Sequence, residues 1–191
     1  MIRCFNPVLI CLCYIGILFS QNTYPIILIH GFLGWGRDEM AGYYYWGGKT
    51  DLETELKSAG YEVYTVSVGP ISPNWDRAIE AFYQIKGGQV DYGNEKAEEL
   101  GIIQRPSGKN YPGLYPQWDE KHPVHLIGHS QGGSTAKMLE VLLKKSISEE
   151  TSPLLSSVHS GWISSVTTIS TPHNGTTLVP LLLDAFPFAL N

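Results

Sequence analysis

Apolar and polar positions along this chain follow two periods that take turns. Residues 25–30, Pro-Ile-Ile-Leu-Ile-His, form a short unbroken apolar run. That is the pattern of a strand covered on both faces of a parallel sheet. Residues 61–68 are rich in β-branched and aromatic side chains and predict a second strand. Residues 123–128 and 162–170 predict a third and a fourth. Between them the period becomes helical. Thr50 and Glu53 have capping-box spacing and open a helix that turns Leu52, Leu56 and Ala59 inwards, ended by Gly60. Ser72-Pro73 starts another, with a hydroxyl cap and proline in the first turn. Its Trp75, Ile79, Phe82 and Tyr83 share one face, and Gly87-Gly88 closes it. Residues 131–145 carry Thr135, Met138, Leu139, Leu142 and Leu143 on one stripe, which reads as core packing. Strands alternating with helices imply right-handed βαβ crossovers and a mainly parallel α/β sheet.

Two stretches break the alternation. Residues 91–118 contain Gly, Pro and Tyr with at most one short helix near residues 94–100, and read as a surface excursion. Residues 146–160 read as a polar loop. There is no internal repeat or low-complexity tract.

Candidate chemistry lies where the third strand gives way to a helix, at Gly128-His129-Ser130-Gln131-Gly132. Gly-x-Ser-x-Gly alone is weak, but on a strand–turn–helix it describes a nucleophile elbow. The flanking glycines let the tight turn crowd against neighbouring backbone, and the turn lifts the serine hydroxyl above the strand ends. The competing reading is an ordinary serine helix cap. The helix N-terminus aims amide N–H groups at charge forming on a substrate oxygen. Ser130 is therefore the candidate nucleophile, and the Gln131 main-chain N–H one oxyanion donor. The Gly-rich loop after the first strand, His30-Gly31-Phe32-Leu33-Gly34, supplies the second donor through the Phe32 N–H. Such a loop could also hold phosphate, but no Gly-x-x-x-x-Gly-Lys-Ser/Thr or Gly-x-Gly-x-x-Gly accompanies it.

Composition narrows the class. With 13 basic and 18 acidic residues, a net charge of −5 and no basic cluster, the 191-residue chain lacks the face a nucleic-acid binder needs. Arg3 followed by an uncharged run over residues 8–19 and then Ser20 reads as a signal peptide cleaved after Ser20, for a secreted protein. The run is shorter than the ~20 residues that span a bilayer. Residues 21–191 form one expected domain. All three cysteines (Cys4, Cys11, Cys13) precede Ser20, so the mature chain is expected to have no disulfide and no Cys-based metal site.

The blocks His30-Gly31-Phe32-x-Gly34-Trp35-Gly36, Tyr45-Trp46-Gly47-Gly48, Asn74-Trp75-Asp76-Arg77-Ala78, Val90-Asp91-Tyr92-Gly93, Tyr111-Pro112-Gly113-Leu114, Gly128-His129-Ser130-Gln131-Gly132-Gly133 and Thr171-Pro172-His173-x-Gly175-Thr176-Thr177 resemble the thermoalkalophilic bacterial lipases and their staphylococcal relatives. The resemblance implies the amino-terminal part of an α/β-hydrolase fold with the carboxyl-terminal strands missing. It also implies lipid (triacylglycerol-type) or small carboxylic ester substrates, possible contact with a lipid interface, and a Ser–Asp–His triad with Ser130 as nucleophile. It places the oxyanion donors on Phe32 and Gln131.

Two departures stand out. The resemblance brings with it a zinc site of two aspartates and two histidines. Asp76 matches one aspartate, but Lys96 and Ile102 stand at the histidine positions, so no metal and no cofactor are expected. Asp76 is then left to pair with a cation or cap its helix. The fold's triad runs Ser, then acid, then His. After Ser130 the histidines are His159 and His173, and the aspartate, Asp184, follows both. Glu140, Glu149 and Glu150 fall within or just after the nucleophile's own helix, where no acid loop is expected. The triad acid and base are thus expected beyond Asn191, and His30, His129 and His173 read as structural histidines. The Tyr43-Tyr44-Tyr45-Trp46 cluster reads as packing rather than as an acyl-chain contact. Two functions remain: a serine-dependent ester hydrolase, or a catalytically inactive homologue that binds lipid or a partner protein.

Overall fold

The computed structural model describes residues 23–177. The expected signal segment and the apolar stretch at residues 178–190 lie outside the described residues. In chain order the elements are β1 (Ile26–Ile29), α1 (Leu52–Ser58), β2 (Val63–Val66), α2 (Asn74–Lys86), β3 (Gly88–Gln89), α3 (Asn94–Leu100), β4 (Asn110–Tyr111), β5 (Val124–His129), α4 (Gln131–Leu143) and β6 (Ile163–Ile169). The four expected strands are present and all parallel, in the order β2-β1-β5-β6. β3 and β4 pair antiparallel as a separate ribbon. The chain adds β2 on one side of β1 and then crosses to add β5 on the other. Strand order therefore reverses between β1 and β5, where open parallel sheets place their ligands.

One face of the sheet makes the core. Ile27, Ile29, Val66, Val124 and Leu126 pack with Ile79, Phe82, Leu139 and Leu143 of α2 and α4. The other face is half covered, and Ile26, His125, Ile127, Ser165 and Thr167 line an open cleft of about 620 Å³.

Several local expectations need correction. The cap of α1 is Asp51, not Thr50: its carboxylate accepts the Glu53 N–H and is drawn there by Arg37. Glu53 is buried instead of Ala59, because Arg37 and Lys57 both bond its carboxylate. Pro73 occupies the N-cap of α2 and no side chain caps that helix. The excursion after β3 is only partly on the surface. Val90, Asp91, Tyr92, Tyr115 and Trp118 are buried, and the Trp118 indole donates to the Trp162 carbonyl at 2.8 Å. The loop over residues 146–160 likewise buries Glu150, Ser152, Leu154 and Leu155. The Glu150 carboxylate accepts the Asn94 and Glu95 N–H groups at 2.8 and 3.1 Å, fixing the start of α3.

Candidate active site

Ser130 lies between the last residue of β5 and the first of α4, with φ 54° and ψ −127°. A non-glycine residue held there costs about 1–3 kcal/mol, and such strain gathers at functional sites. The hydroxyl makes no capping bond to α4, so the ordinary-cap reading fails. The turn is held from three sides. The Ser130 N–H donates to the Ile169 carbonyl at 2.8 Å, and the Thr171 hydroxyl donates to the Ser130 carbonyl at 2.9 Å. A Cβ on residue 132 would lie 2.1 Å from the Ile29 carbonyl oxygen, so only glycine lets α4 start this close to β1.

The loop after β1 comes equally near. A Cβ on Gly31 would lie 2.7 Å from Ser130 Cβ. Two successive peptides of this loop are fixed by hydrogen bonds. The His30 carbonyl accepts from the Arg77 guanidinium, and the Gly31 N–H donates to the Tyr45 hydroxyl at 2.9 Å. The Gly31 carbonyl accepts from His30 Nδ1 at 2.9 Å and from the Gly34 N–H at 3.1 Å. In a trans peptide the N–H points opposite to the C=O, so the Phe32 N–H faces away from those two donors. Among the described residues neither the Phe32 nor the Gln131 N–H donates to a main-chain carbonyl.

Arg77 is the residue that sequence reading missed. It is fully buried, and among the described residues its guanidinium bonds only neutral acceptors: the His30 and Gly69 carbonyls and the Thr135 hydroxyl. It thereby ties the loops after β1 and β2 to the helix that follows Ser130. Burial pulls its pKa down to about 10, against the opposing pull of Glu80. His30 is also fully buried, and desolvation lowers its pKa. The neutral ring donates through Nδ1 and accepts the Val68 N–H at Nε2, 3.2 Å away.

No histidine bonds the Ser130 hydroxyl among the described residues, and all six are accounted for. His30 is committed as above. His129 Nδ1 meets the Tyr45 hydroxyl at 2.5 Å, and His125 meets Ser165 on the open sheet face. His122 pairs with Asp119 at 2.8 Å, but before the start of β5. His159 precedes β6 and bonds the Pro153 carbonyl. A six-residue strand, about 20 Å long, separates that edge from Ser130. His173 is on the same edge as Ser130, and its Nε2 bonds the Thr168 hydroxyl at 3.0 Å.

Residues 22–184 match the family described as lipase-like, C-terminal domain. The chain belongs to that lipase-like family. Lipase 2 of Staphylococcus aureus is 41% identical over 167 residues, 81% of this chain and 24% of that protein. The structure of lipase 1 from Pelosinus fermentans superposes with a TM-score of 0.80 at 47% identity, over 85% of this chain and 45% of that one. Staphylococcus hyicus lipase does so at 0.76 and 37%, over 87% and 48%. The fold is therefore that of the α/β-hydrolase lipases. The chain spans about a quarter of the length of the curated relative and under half of each solved chain.

The surroundings of Asp76 do not fit the zinc site that the lipase resemblance implies. Asp76 is in the first turn of α2, and burial and then Glu80 raise its pKa, against the pull of Lys109 and Lys96. The Lys109 ammonium bonds the buried Glu80 carboxylate at 2.5 Å and the Tyr92 hydroxyl at 2.8 Å. Lys96 pairs with Glu99, and Ile102 offers no donor atom. Among the described residues no three His, Cys, Asp or Glu side chains are grouped to hold a metal.

The aromatic cluster of this lipase-like domain is not core. Trp35, Tyr43, Tyr44, Tyr45 and Trp46 line an open cleft of about 360 Å³ that reaches His129. Tyr45 stands edge-on to Trp35 and Trp46, so the rings pack on one another and leave their outer faces to solvent. Among the described residues no helix is long and apolar enough to cross a membrane.

Proposed function

We propose that this domain carries the nucleophile and oxyanion site of a secreted serine-dependent hydrolase of lipid or small carboxylic esters. The observation that supports it most is the backbone of Ser130, a strained non-glycine turn placed between a parallel strand and a helix N-terminus. The Ser130 oxygen attacks the ester carbonyl carbon as its proton passes to a base, and the carbonyl oxygen becomes an oxyanion facing the Phe32 and Gln131 N–H groups. The intermediate collapses as that proton goes to the departing alcohol, and water then hydrolyses the acyl-enzyme to release the acid and restore Ser130. Each oxyanion donor is worth about 3 kcal/mol by analogy with measured cases. Fixing the loop by Arg77, His30 and Tyr45 means that little reorganisation is needed when charge appears.

Ser130 also needs a base, and the six histidines are all committed elsewhere. The base and its acid are therefore assigned to sequence outside these 191 residues. Without a base, serine enzymes keep a residue of about 10³–10⁴ over water from the oxyanion hole and binding alone. The 191-residue polypeptide should hydrolyse a short-chain nitrophenyl ester only slowly, while a form extended to carry the base and its acid should be fast, and Ser130→Ala should abolish the activity of the extended form. A vigorous esterase that dies on mutation of His159 or His173 would refute the assignment of the base. A rate of the extended form untouched by Ser130→Ala would refute the nucleophile.

A further inference from the structure

We infer that Tyr45 is a positioning residue whose hydroxyl locks the loop carrying the Phe32 donor to the turn carrying Ser130; this rests on the reading of Phe32 and Gln131 as oxyanion donors. The Tyr45 hydroxyl oxygen accepts the Gly31 N–H at 2.9 Å and lies 2.5 Å from His129 Nδ1. A phenol has one proton and acceptor room on its oxygen. The oxygen accepts the Gly31 N–H and shares one proton with His129 Nδ1, so the hydroxyl is the Nδ1 partner of that ring. Gly31 immediately precedes Phe32, and His129 immediately precedes Ser130. A single oxygen atom therefore bridges the two segments that must face one substrate carbonyl.

The bridge is built rigidly. The Tyr45 ring is held edge-on between Trp35 at 5.5 Å and Trp46 at 5.7 Å. The close approach needs glycine at 31, since a Cβ there would lie 2.9 Å from the Tyr45 hydroxyl. The His30–Gly31 peptide is gripped at its carbonyl by Arg77 and at its N–H by Tyr45. Remove the hydroxyl and the N–H end is free, in a part-buried place where an unpaired donor is costly. The peptide then gains by rotating towards water, and the next peptide carries the Phe32 N–H with it. Small misplacements of this kind cost up to about 10²-fold in rate.

The test is Tyr45→Phe, which keeps the ring and its stacking. Measured on the whole chain with a nitrophenyl ester, kcat should fall about tenfold or more, with KM within about twofold and Tm within a few degrees. Two readouts do not depend on turnover. The ¹⁵N signal of His129 Nδ1 should shift as its hydrogen-bond partner is lost, and the Gly31 amide should exchange faster with solvent. Tyr64→Phe, which removes an exposed hydroxyl bonded to Glu62, should change none of these. Unchanged kcat with an unchanged His129 spectrum overturns the proposal. So does a loss confined to KM, which would make Tyr45 a substrate contact. If hydrolysis by the extended form is insensitive to Ser130→Ala, the functional reading fails, and the spectrum and the Gly31 exchange still decide whether the bridge exists.

Discussion

At the scale of single residues, the site stores strain in one place and relieves polar groups in another. Ser130 holds a φ of 54° that glycine adopts without cost. Ser130→Gly should therefore be more stable than Ser130→Ala by about 1 kcal/mol, read from urea unfolding midpoints; equal midpoints would mean that the turn is relaxed. His30 gives a pH dependence. Its folded pKa is lowered by burial, while its unfolded value is the ordinary ~6.5. The stability gained by keeping the ring neutral is thus complete above about pH 6.5 and is lost as pH falls through the lowered folded value. Glu39, Asp51 and Glu140 also have lowered pKa values, but as carboxylates they act at more acid pH. Between pH 7 and pH 5 the urea midpoint should fall in the parent chain and fall less in His30→Gln. Parallel slopes would mean that His30 does not titrate on unfolding.

At the scale of elements, the sequence pattern works where a helix shows water one side and fails where it shows none. The four strands and α4 were legible because apolar runs and a single stripe suffice for elements with one or two simple faces. α2 was only half legible. The stripe of Trp75, Ile79 and Phe82 predicts one inner face, and at 100° per residue Arg77 falls about 200° from Trp75, on the side expected to be wet. In the fold Arg77, Glu80 and Gln84 are all buried, because α4 and the excursion after β3 close over the second side. Burial of a charge depends on partners distant in sequence, His30 and Thr135 among them, and no local period records it. The Ser130 motif was legible because its spacing is local, while the Tyr45 bridge to His129 spans 84 residues and was not. Trp118 marks the same limit. It is fully buried, holding the excursion to Trp162 ahead of β6. Trp118→Ala should cost about 3–5 kcal/mol in urea unfolding, and a loss under 1 kcal/mol would mean that the excursion is a surface feature after all.

At the scale of the whole molecule, parallel strands bring four loops to one edge, and the hydrogen bonds there run between loops. Leu33 N–H donates to the Pro70 carbonyl, the Gln131 side chain to the Ser72 carbonyl, and the Thr171 hydroxyl to the Ser130 carbonyl. The site is thus a property of the sheet edge as a unit, with Ser130 at the place where strand order reverses. All of this turns on Ser130 being the group that takes up the acyl or phosphonyl moiety. The direct measurement is long incubation of the 191-residue chain with a nitrophenyl alkylphosphonate, followed by intact and peptide mass spectrometry. One adduct per chain is expected, located on Ser130 and absent in Ser130→Ala. An adduct that forms equally in Ser130→Ala, that maps to another residue, or that never forms would contradict it.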